Sequence, residues 1–178
     1  MFRPRPTELP CPGYHLRPIE LRDAQAWFAC VSDPCVFGPT SWPIVSTAEI
    51  ILKLERLVAD DDAPGRWAIA DTDNDLLVGT CGAVRWDTEV RVAEVAYELS
   101  PVVWGRGLAT ASVNAFLAEA SEAGLHRVVA HTWDGNAPSH RVLSRCGFKP
   151  ELSLPGFRAC RGEWRDFTGW SRPLQASS

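Results

Sequence analysis

VAEVAYELSPVVWGRGLAT, residues 92–110, contains an apolar strand, a loop with two glycines and the start of a helix. Val92–Leu99 is rich in strand-favouring residues, and Leu108 opens a run of helix formers. The first N–H groups of a helix have no acceptor within it, and the helix dipole favours negative charge there. Gly105 and Gly107 lack a Cβ and allow a ligand to approach the backbone closely. The stretch is therefore compatible with a phosphate site between a strand and a helix.

The glycine loop does not match the two common phosphate-binding motifs, the dinucleotide fingerprint and the G-x-x-x-x-G-K-[ST] loop. A dinucleotide fingerprint needs a third glycine, and Thr110 stands at that position. No acidic residue is placed after a following strand to hold a ribose, and the G-x-x-x-x-G-K-[ST] loop is absent. An isolated Gly-x-Gly is also typical of a tight turn into a core helix. The loop alone leaves the turn and the phosphate site both open.

The rest of the chain predicts a mixed α/β domain. Helical periodicity, strand alternation and turn residues give the element order β-α-α-β-β-β-α-β-α-β-β, with Ser46 and Glu49 at capping-box spacing. Residues 92–133 form one βαβ crossover in a mainly antiparallel sheet. The predicted strands cover 15–21, 67–71, 76–84, 92–99, 127–133, 149–154 and 165–171, and the predicted helices cover 22–31, 46–59, 108–124 and 136–145.

Composition indicates one soluble globular domain. The chain has 178 residues, 18 basic and 22 acidic, and a net charge of −4. A nucleic-acid binder usually needs a strongly basic surface, and a membrane span needs a run of about 18 apolar residues. The sequence has neither feature, so we expect neither nucleic acid nor a membrane as a partner. Residues 1–13 are proline-rich and lack the apolar segment of a secretory signal. We expect a flexible lead over residues 1–13, a single domain over residues 14–178 and a cytoplasmic protein.

The six cysteines do not predict a metal site, because none has a partner at CxxC or zinc-finger spacing. Cys30 and Cys35 are the closest pair, and a disulfide between them stays open. Without a secretory signal, reduced thiols are the expectation.

Four motifs in a fixed order point to a known family. They are Glu94–Pro101 (EVAYELSP), Trp104–Ala109 (WGRGLA), Asn136–Ser139 (NAPS) and Cys146–Phe148 (CGF). Together they resemble the GCN5-related N-acetyltransferase (GNAT) family, and most closely its branch of ribosomal-protein N-terminal acetyltransferases. In that family a loop of the form [Q/R]-x-x-G-x-[G/A] holds the pyrophosphate of coenzyme A. Gly107 and Ala109 match its last two positions, whereas Trp104 replaces the Gln or Arg, in the W-G-x-G-x-A form common in this branch.

The resemblance implies the GNAT fold and acetyl-CoA as the acyl donor. The fold would be a mixed, mostly antiparallel sheet of roughly six to seven strands flanked by about four helices, with splayed parallel central strands. The pantetheine arm would lie in the gap and pair with the backbone of residues 97–99. By motif, the coenzyme-contacting residues are Tyr97, Glu98, Leu99, Trp104, Gly105, Arg106, Gly107, Leu108, Ala109, Thr110, Asn136 and Ser139, with Arg106 adding positive charge.

The resemblance also implies a catalytic set. The reaction needs a neutral amine, so the site must take up a proton, directly or through water. Glu94 is the favoured water-linked base, Glu98 is a second candidate, and Ser139 is a candidate proton donor to the leaving thiolate. The structural alternatives are a solvated or ion-paired strand carboxylate for the glutamates and a surface hydroxyl for Ser139. His131 lies on a central strand, where a core role is commoner than a catalytic one.

Two local points stay open within this set. Strand alternation puts Glu94 and Glu98 on one face and Tyr97 and Leu99 on the other, but a bulge in this strand, usual in the family, would disturb that order. Asn136 fits a coenzyme contact and a helix N-cap equally well.

The predicted function is acetyl transfer to a primary amine by direct attack in a ternary complex. The acceptor is a protein N-terminus or a small molecule such as a polyamine, an amino acid or an aminoglycoside. Two rivals stay open: a non-catalytic acyl-CoA sensor of the same fold, and a dinucleotide-dependent oxidoreductase, against which the missing third glycine counts. Family members often dimerise, so a homodimer stays open as well.

Overall fold

The described part of the chain forms one sheet with five α-helices. The computed structural model describes residues 4–40, 46–59, 64–160 and 162–174. The strands are β1 (Thr7–Glu8), β2 (Tyr14–Pro18), β3 (Arg66–Asp71), β4 (Leu77–Asp87), β5 (Val92–Leu99), β6 (Arg127–Trp133), β7 (Lys149–Cys160) and β8 (Glu163–Pro173). The helices are α1 (Ala24–Ser32), α2 (Pro34–Phe37), α3 (Thr47–Ala59), α4 (Leu108–Glu122) and α5 (Ala137–Arg145), with 3₁₀ turns at Leu21–Asp23 and Pro101–Val103.

The sheet has the order β1-β2-β3-β4-β5-β6-β8-β7. Neighbouring strands are antiparallel except β5 and β6, which are parallel and joined through α4. This confirms the predicted mixed sheet and the crossover over residues 92–133. The described residues give eight strands rather than six to seven, and five helices rather than about four.

The additional elements lie in segments for which the sequence predicts no regular structure. The segment expected to form a flexible lead contains β1: Thr7 and Glu8 pair with β2, and the adjacent Leu9 is buried. Within the proline-rich loop, α2 forms because the Asp33 side chain accepts a hydrogen bond from the backbone N–H of Cys35. Among the described residues, none of the helices is long and apolar enough to cross a bilayer.

The two faces of the sheet carry separate hydrophobic clusters. On β3, Trp67 and Ile69 belong to the cluster that contains Phe116 of α4, whereas Ala68 between them belongs to the cluster of α1 and α3. This is the alternation expected of a strand buried on both sides. The capping box at the start of α3 is confirmed, because the Glu49 carboxylate accepts from the Ser46 N–H at 2.9 Å and the Ser46 hydroxyl accepts from the Glu49 N–H at 3.3 Å.

The expected bulge lies in β4 and not in β5. Ala83 pairs with Val95 and Arg85 pairs with Glu94, so Val84 is the extra residue. A bulge in one strand bends it and re-aims its side chains while the partner strand stays regular. The β5 residues that follow Glu94 therefore keep their regular pairing with β4, and Val84 faces outward, half exposed.

The central parallel strands separate soon after they meet. Strand β5 pairs with β6 only through Val92, Ala93 and Glu94, although both strands continue beyond this region. The later residues of β6 pair with β8 on its other side, and the later residues of β5 pair with β4. A gap with β5 backbone on one side thus opens after Glu94, as predicted for splayed strands.

A buried polar network connects β5 to β3, β4 and α1. Arg66 of β3 donates to both oxygens of Glu98 at 2.7 Å and to the Thr80 hydroxyl at 2.8 Å. The Thr80 hydroxyl and the Trp27 indole N–H also donate to Glu98, at 2.7 and 2.8 Å. Because the Arg66 and Glu98 side chains are only 2% and 3% exposed, each charge depends on the other for compensation.

We predict that Glu98→Ala lowers the free energy of unfolding by about 3–5 kcal/mol, because it leaves the Arg66 guanidinium buried without its counter-charge. Urea unfolding measures the change. The control, Glu89→Ala at an exposed position beyond β4, changes it by less than about 0.5 kcal/mol. A loss below about 1 kcal/mol for Glu98→Ala contradicts the structural role of this network.

Candidate functional site

Two adjoining pockets lie at the open end of the gap. The loop pocket, about 490 Å³, lies beside residues 103–110 and α5. The strand pocket, about 800 Å³, lies between α3 and the facing parts of β5 and β6. The residues that line both are Pro39, Thr40, Tyr97, Glu98, Asn136 and Ser139. The two pockets therefore meet where β5 and β6 have separated.

The loop pocket contains the predicted anion site. Gly105 and Gly107 have φ angles of 78° and 81°, which favour glycine, and Gly107 is the N-cap of α4. The first helical bond runs from the N–H of Ala111 to the Gly107 carbonyl, so the earlier N–H groups have no acceptor in the helix. A Cβ placed on Gly105 would meet no atom within 4 Å, and on Gly107 only the Cys11 sulfur at 3.9 Å. The loop thus presents open backbone to the pocket.

The positive charge of the loop pocket comes from α5 rather than from the loop. Arg106 was expected to supply it, but its guanidinium donates to the Tyr14 hydroxyl at 2.7 Å and lies over that ring. Arg141 and Arg145 of α5 line the pocket instead. Their spacing of four residues puts them on one helix face, and by resemblance to the family they are candidates for contact with the 3′-phosphate of coenzyme A, although a solvated face is the commoner role for such a pair.

The β5 backbone offers hydrogen-bonding groups to the gap. Neighbouring residues of a strand direct their N–H groups to opposite sides. The N–H of Ser100 donates to Val78 of β4 at 2.8 Å, so the N–H groups of Leu99 and Tyr97 face away from β4, toward the gap. The Leu99 carbonyl accepts from the Trp104 indole N–H at 2.9 Å. Trp104 therefore connects the end of β5 to the glycine loop.

Tyr97, Asn136 and Ser139 lie together at the junction of the two pockets. The Tyr97 hydroxyl donates to the Ser139 carbonyl at 3.3 Å, and burial raises the pKa of Tyr97, so its hydroxyl stays protonated at neutral pH. The Asn136 side chain accepts from the Ser139 N–H at 3.2 Å and caps α5. Asn136 is thus an N-cap that also lines both pockets.

Glu94 belongs to a charged cluster in the strand pocket. Its Oε1 lies 2.8 Å from His131 Nδ1 and 3.5 Å from the Arg158 guanidinium. Burial raises the pKa of Glu94, but the hydrogen bond and charge of His131, with Arg158, outweigh it and lower the pKa overall. Glu94 is therefore a carboxylate at neutral pH. The sequence singled out Glu94 and His131 separately but did not pair them, since they lie on different strands.

Glu98, the second predicted carboxylate, occupies a different environment. It lines both pockets, but its oxygens accept hydrogen bonds from Arg66, Thr80 and Trp27. These three donors hold the carboxylate within the buried network. The geometry supports a structural role for Glu98 more strongly than a basic one.

The cysteines do not form a reactive group in the described residues. All six are free thiols, so Cys30 and Cys35 are not bonded. Burial raises the pKa of Cys81 to about 12 and that of Cys146 to about 11, which keeps both thiols protonated at neutral pH. Within the described ranges, no three His, Cys, Asp or Glu side chains are grouped as metal ligands would be.

The lowered pKa of Glu94 predicts a pH-dependent contribution to stability. A carboxyl group whose folded pKa lies below its unfolded value stabilises the fold above the unfolded value, about 4.3, and loses this contribution as the pH falls through the folded pKa. We predict that Glu94→Gln lowers the free energy of unfolding more at pH 6 than at pH 3. Urea unfolding of both proteins at the two pH values measures this. An equal difference at both values contradicts the Glu94–His131 pairing.

Comparison with other sequences matches residues 14–149 to the Acetyltransferase (GNAT) domain family. The chain is also similar to YoaA of Bacillus subtilis (strain 168), described as an uncharacterized N-acetyltransferase. The two are 30% identical over 140 residues, which cover 76% of this chain and 79% of YoaA.

Solved structures show the same fold. RimL, a ribosomal L7/L12 alpha-N-protein acetyltransferase in complex with coenzyme A, superposes with a TM-score of 0.86 at 17% identity, over 97% of this chain and 100% of RimL. The spermidine N-acetyltransferase of Vibrio cholerae, in complex with CoA and spermine, gives 0.79 at 20% identity, over 91% of this chain and 96% of the other. With its family match spanning most of the sequence and a sheet that opens between β5 and β6, this chain belongs to the GNAT acetyltransferase family.

Proposed function

We propose that this protein transfers an acetyl group from acetyl-CoA to a primary amine by direct attack in a ternary complex. The observation that carries the proposal is the junction of the two pockets at Tyr97 and Ser139. An acyl donor in the loop pocket and an amine in the strand pocket would meet there. Holding both reactants in one geometry converts a bimolecular reaction into an effectively unimolecular one.

The residues of the loop pocket fit a coenzyme with a pyrophosphate. The N–H groups at the start of α4 would hold the anion, and the open space in front of Gly105 and Gly107 would admit it. Arg141 and Arg145 would add attraction for phosphate. The N–H groups of Tyr97 and Leu99 would pair with amide groups of the pantetheine arm.

The residues at the junction and in the strand pocket fit the chemistry of amide formation. The amine must lose a proton before its nitrogen attacks the thioester carbon, and the Glu94 cluster lies in the strand pocket where that proton would leave. The C–S bond then breaks, and the departing thiolate takes a proton. Ser139 and the protonated hydroxyl of Tyr97 are the donors at the junction.

Two acceptor classes fit the strand pocket. Its volume of about 800 Å³ is sufficient for the first residues of a peptide or for a small amine. RimL is described as an acetyltransferase of a protein N-terminus, and the Vibrio cholerae enzyme as one of spermidine. We propose a primary amine of either class as the acceptor.

The alternative is an acyl-CoA sensor of the same fold that does not catalyse transfer. The strand pocket favours the enzyme, because a sensor has no need for a second pocket with a carboxylate–histidine pair. Two measurements separate the possibilities: calorimetry with acetyl-CoA, and release of free CoA with a panel of N-terminal peptides and small amines. Binding with amine-dependent release supports the enzyme, binding without release supports the sensor, and no binding at millimolar acetyl-CoA rejects both.

We predict that Gly107→Asp weakens coenzyme binding about 100-fold or more, because it places a carboxylate beside the pyrophosphate. Asp tolerates positive φ better than most residues, and a negative charge at a helix N-terminus does not destabilise the helix. The control is Gly124→Asp, with a φ of 75° and no atom within 4 Å of the new Cβ, at the other end of α4. Calorimetry should show wild-type affinity for the control, and equal affinities for both variants would show that the loop is only a turn.

We predict that combined Arg141→Ala and Arg145→Ala weakens coenzyme binding about tenfold or more at low salt, and less at high salt, because exposed charge interactions are screened. Arg106→Ala is the matched comparison, since its guanidinium contacts Tyr14 and not the pocket. Its affinity should stay within about twofold of wild type. A larger loss for Arg106→Ala than for the double variant would place the phosphate-binding charge on the loop.

A further inference from the structure

A carboxylate–imidazole pair lies in the strand pocket. His131 of β6 and Glu94 of β5 both line this pocket, and their side chains are 19% and 16% exposed. The pair is thus shielded from bulk water but open to a ligand in the pocket. Glu94 belongs to the last backbone pair between β5 and β6. His131 lies in β6, two residues beyond Val129, the partner of Glu94 in that pair.

The hydrogen bond determines which nitrogen of His131 is basic. Glu94 is a carboxylate at neutral pH and can only accept, so the proton of the neutral imidazole must lie on Nδ1. The lone pair then lies on Nε2, for which the described residues offer no hydrogen-bond partner. A buried carboxylate that orients an imidazole in this way leaves the opposite nitrogen as a proton acceptor.

The ring plane of His131 is also held. Phe157 of β7 packs against the imidazole, with centroids 5.3 Å apart and ring planes inclined by 32°. Arg158, next to Phe157, contacts the same Glu94 oxygen and keeps the carboxylate charged. Three strands thus orient one imidazole that is not required to complete the hydrophobic core.

We propose that His131 Nε2 is the base that removes the proton from the acceptor ammonium, and that Glu94 is a positioning residue for His131. The inference rests on the proposed acetyl transfer. The acceptor ammonium, R–NH₃⁺, gives one proton to His131, and the neutral amine then attacks the thioester carbon. The C–S bond breaks, and the second nitrogen proton ends on the CoA thiol through a donor at the junction. His131 then returns its proton to solvent.

Several charged groups face His131 and enter any pH dependence. Glu94 contacts the imidazole directly, and Arg158 contacts Glu94. The groups across the strand pocket are Glu49, Lys53 and Arg56 of α3, Arg66 of β3 and Glu98 of β5. Arg66 and Glu98 neutralise each other, which leaves the α3 groups as the main distant influence.

The test is the pH profile of kcat with saturating acetyl-CoA and an acceptor found by the CoA-release panel. Without a base, only the neutral fraction of the amine reacts. His131→Gln should therefore lose about 100-fold near pH 7 and recover as the pH rises toward the acceptor's own pKa. Glu94→Gln should lose less and keep the plateau of the wild-type profile, because His131 remains as the base. His126→Gln, an exposed histidine outside the pockets, should keep the wild-type profile.

The outcomes are distinct. A loss in His131→Gln that is the same at every pH indicates a structural role and overturns the inference. Loss of the plateau in Glu94→Gln but not in His131→Gln makes Glu94 the base and also overturns it. If wild-type protein binds acetyl-CoA but releases no CoA with any amine, the proposed function fails and the inference fails with it.

A second measurement does not depend on activity. Long-range ¹H–¹⁵N spectra of the imidazoles report which ring nitrogen carries the proton. Proton–proton contacts with Phe157, whose ring centroid lies 5.3 Å from that of His131, assign the signal among the four histidines. The Nδ1–H tautomer for His131 supports the inference. The Nε2–H tautomer would falsify it even if the variant failed to fold.

Discussion

The early separation of β5 and β6 is the constraint on which the site depends. Backbone N–H and C=O groups in a sheet need partners, and a central strand normally finds them on both sides. Among the described strands, β5 beyond Glu94 pairs with β4 only, and β6 beyond Val129 pairs with β8 only. The unpaired edge of β5 creates a place for a ligand that can supply amide groups of its own. The pockets on either side of this edge follow from the same separation.

Side chains from β3, β4 and α1 hold β5 in place along the part that borders the gap. Glu98 accepts hydrogen bonds from β3, β4 and α1, so the part of β5 that has lost β6 is held by Arg66, Thr80 and Trp27. The Trp104 indole holds the Leu99 carbonyl and connects the strand to the glycine loop. Because the bulge lies in β4, the backbone of β5 stays regular next to the gap. These contacts keep the ligand-facing edge of β5 in position.

Local signals in the sequence predicted the crossover, the glycine loop and the Asn136 cap, because each depends on neighbouring residues. The features that the sequence did not predict depend on contacts between residues that are distant in sequence. Arg106 turns toward Tyr14, a residue 92 positions away, and β1 forms only because β2 provides an edge. The Glu94–His131 pair likewise forms because two strands distant in sequence lie side by side. Tertiary contacts of this kind leave no periodic pattern in a sequence, and they determine which predicted site residues share a pocket.

The central claim is that the free edge of β5 receives the coenzyme. Residue-resolved amide hydrogen exchange tests it, because neighbouring amides of this strand face opposite ways. We expect coenzyme A to slow exchange at the Leu99 amide and to leave unchanged the exchange at Ser100, whose N–H already donates to Val78 of β4. Coenzyme binding with no slowing at Leu99, or with equal slowing at both amides, would contradict it.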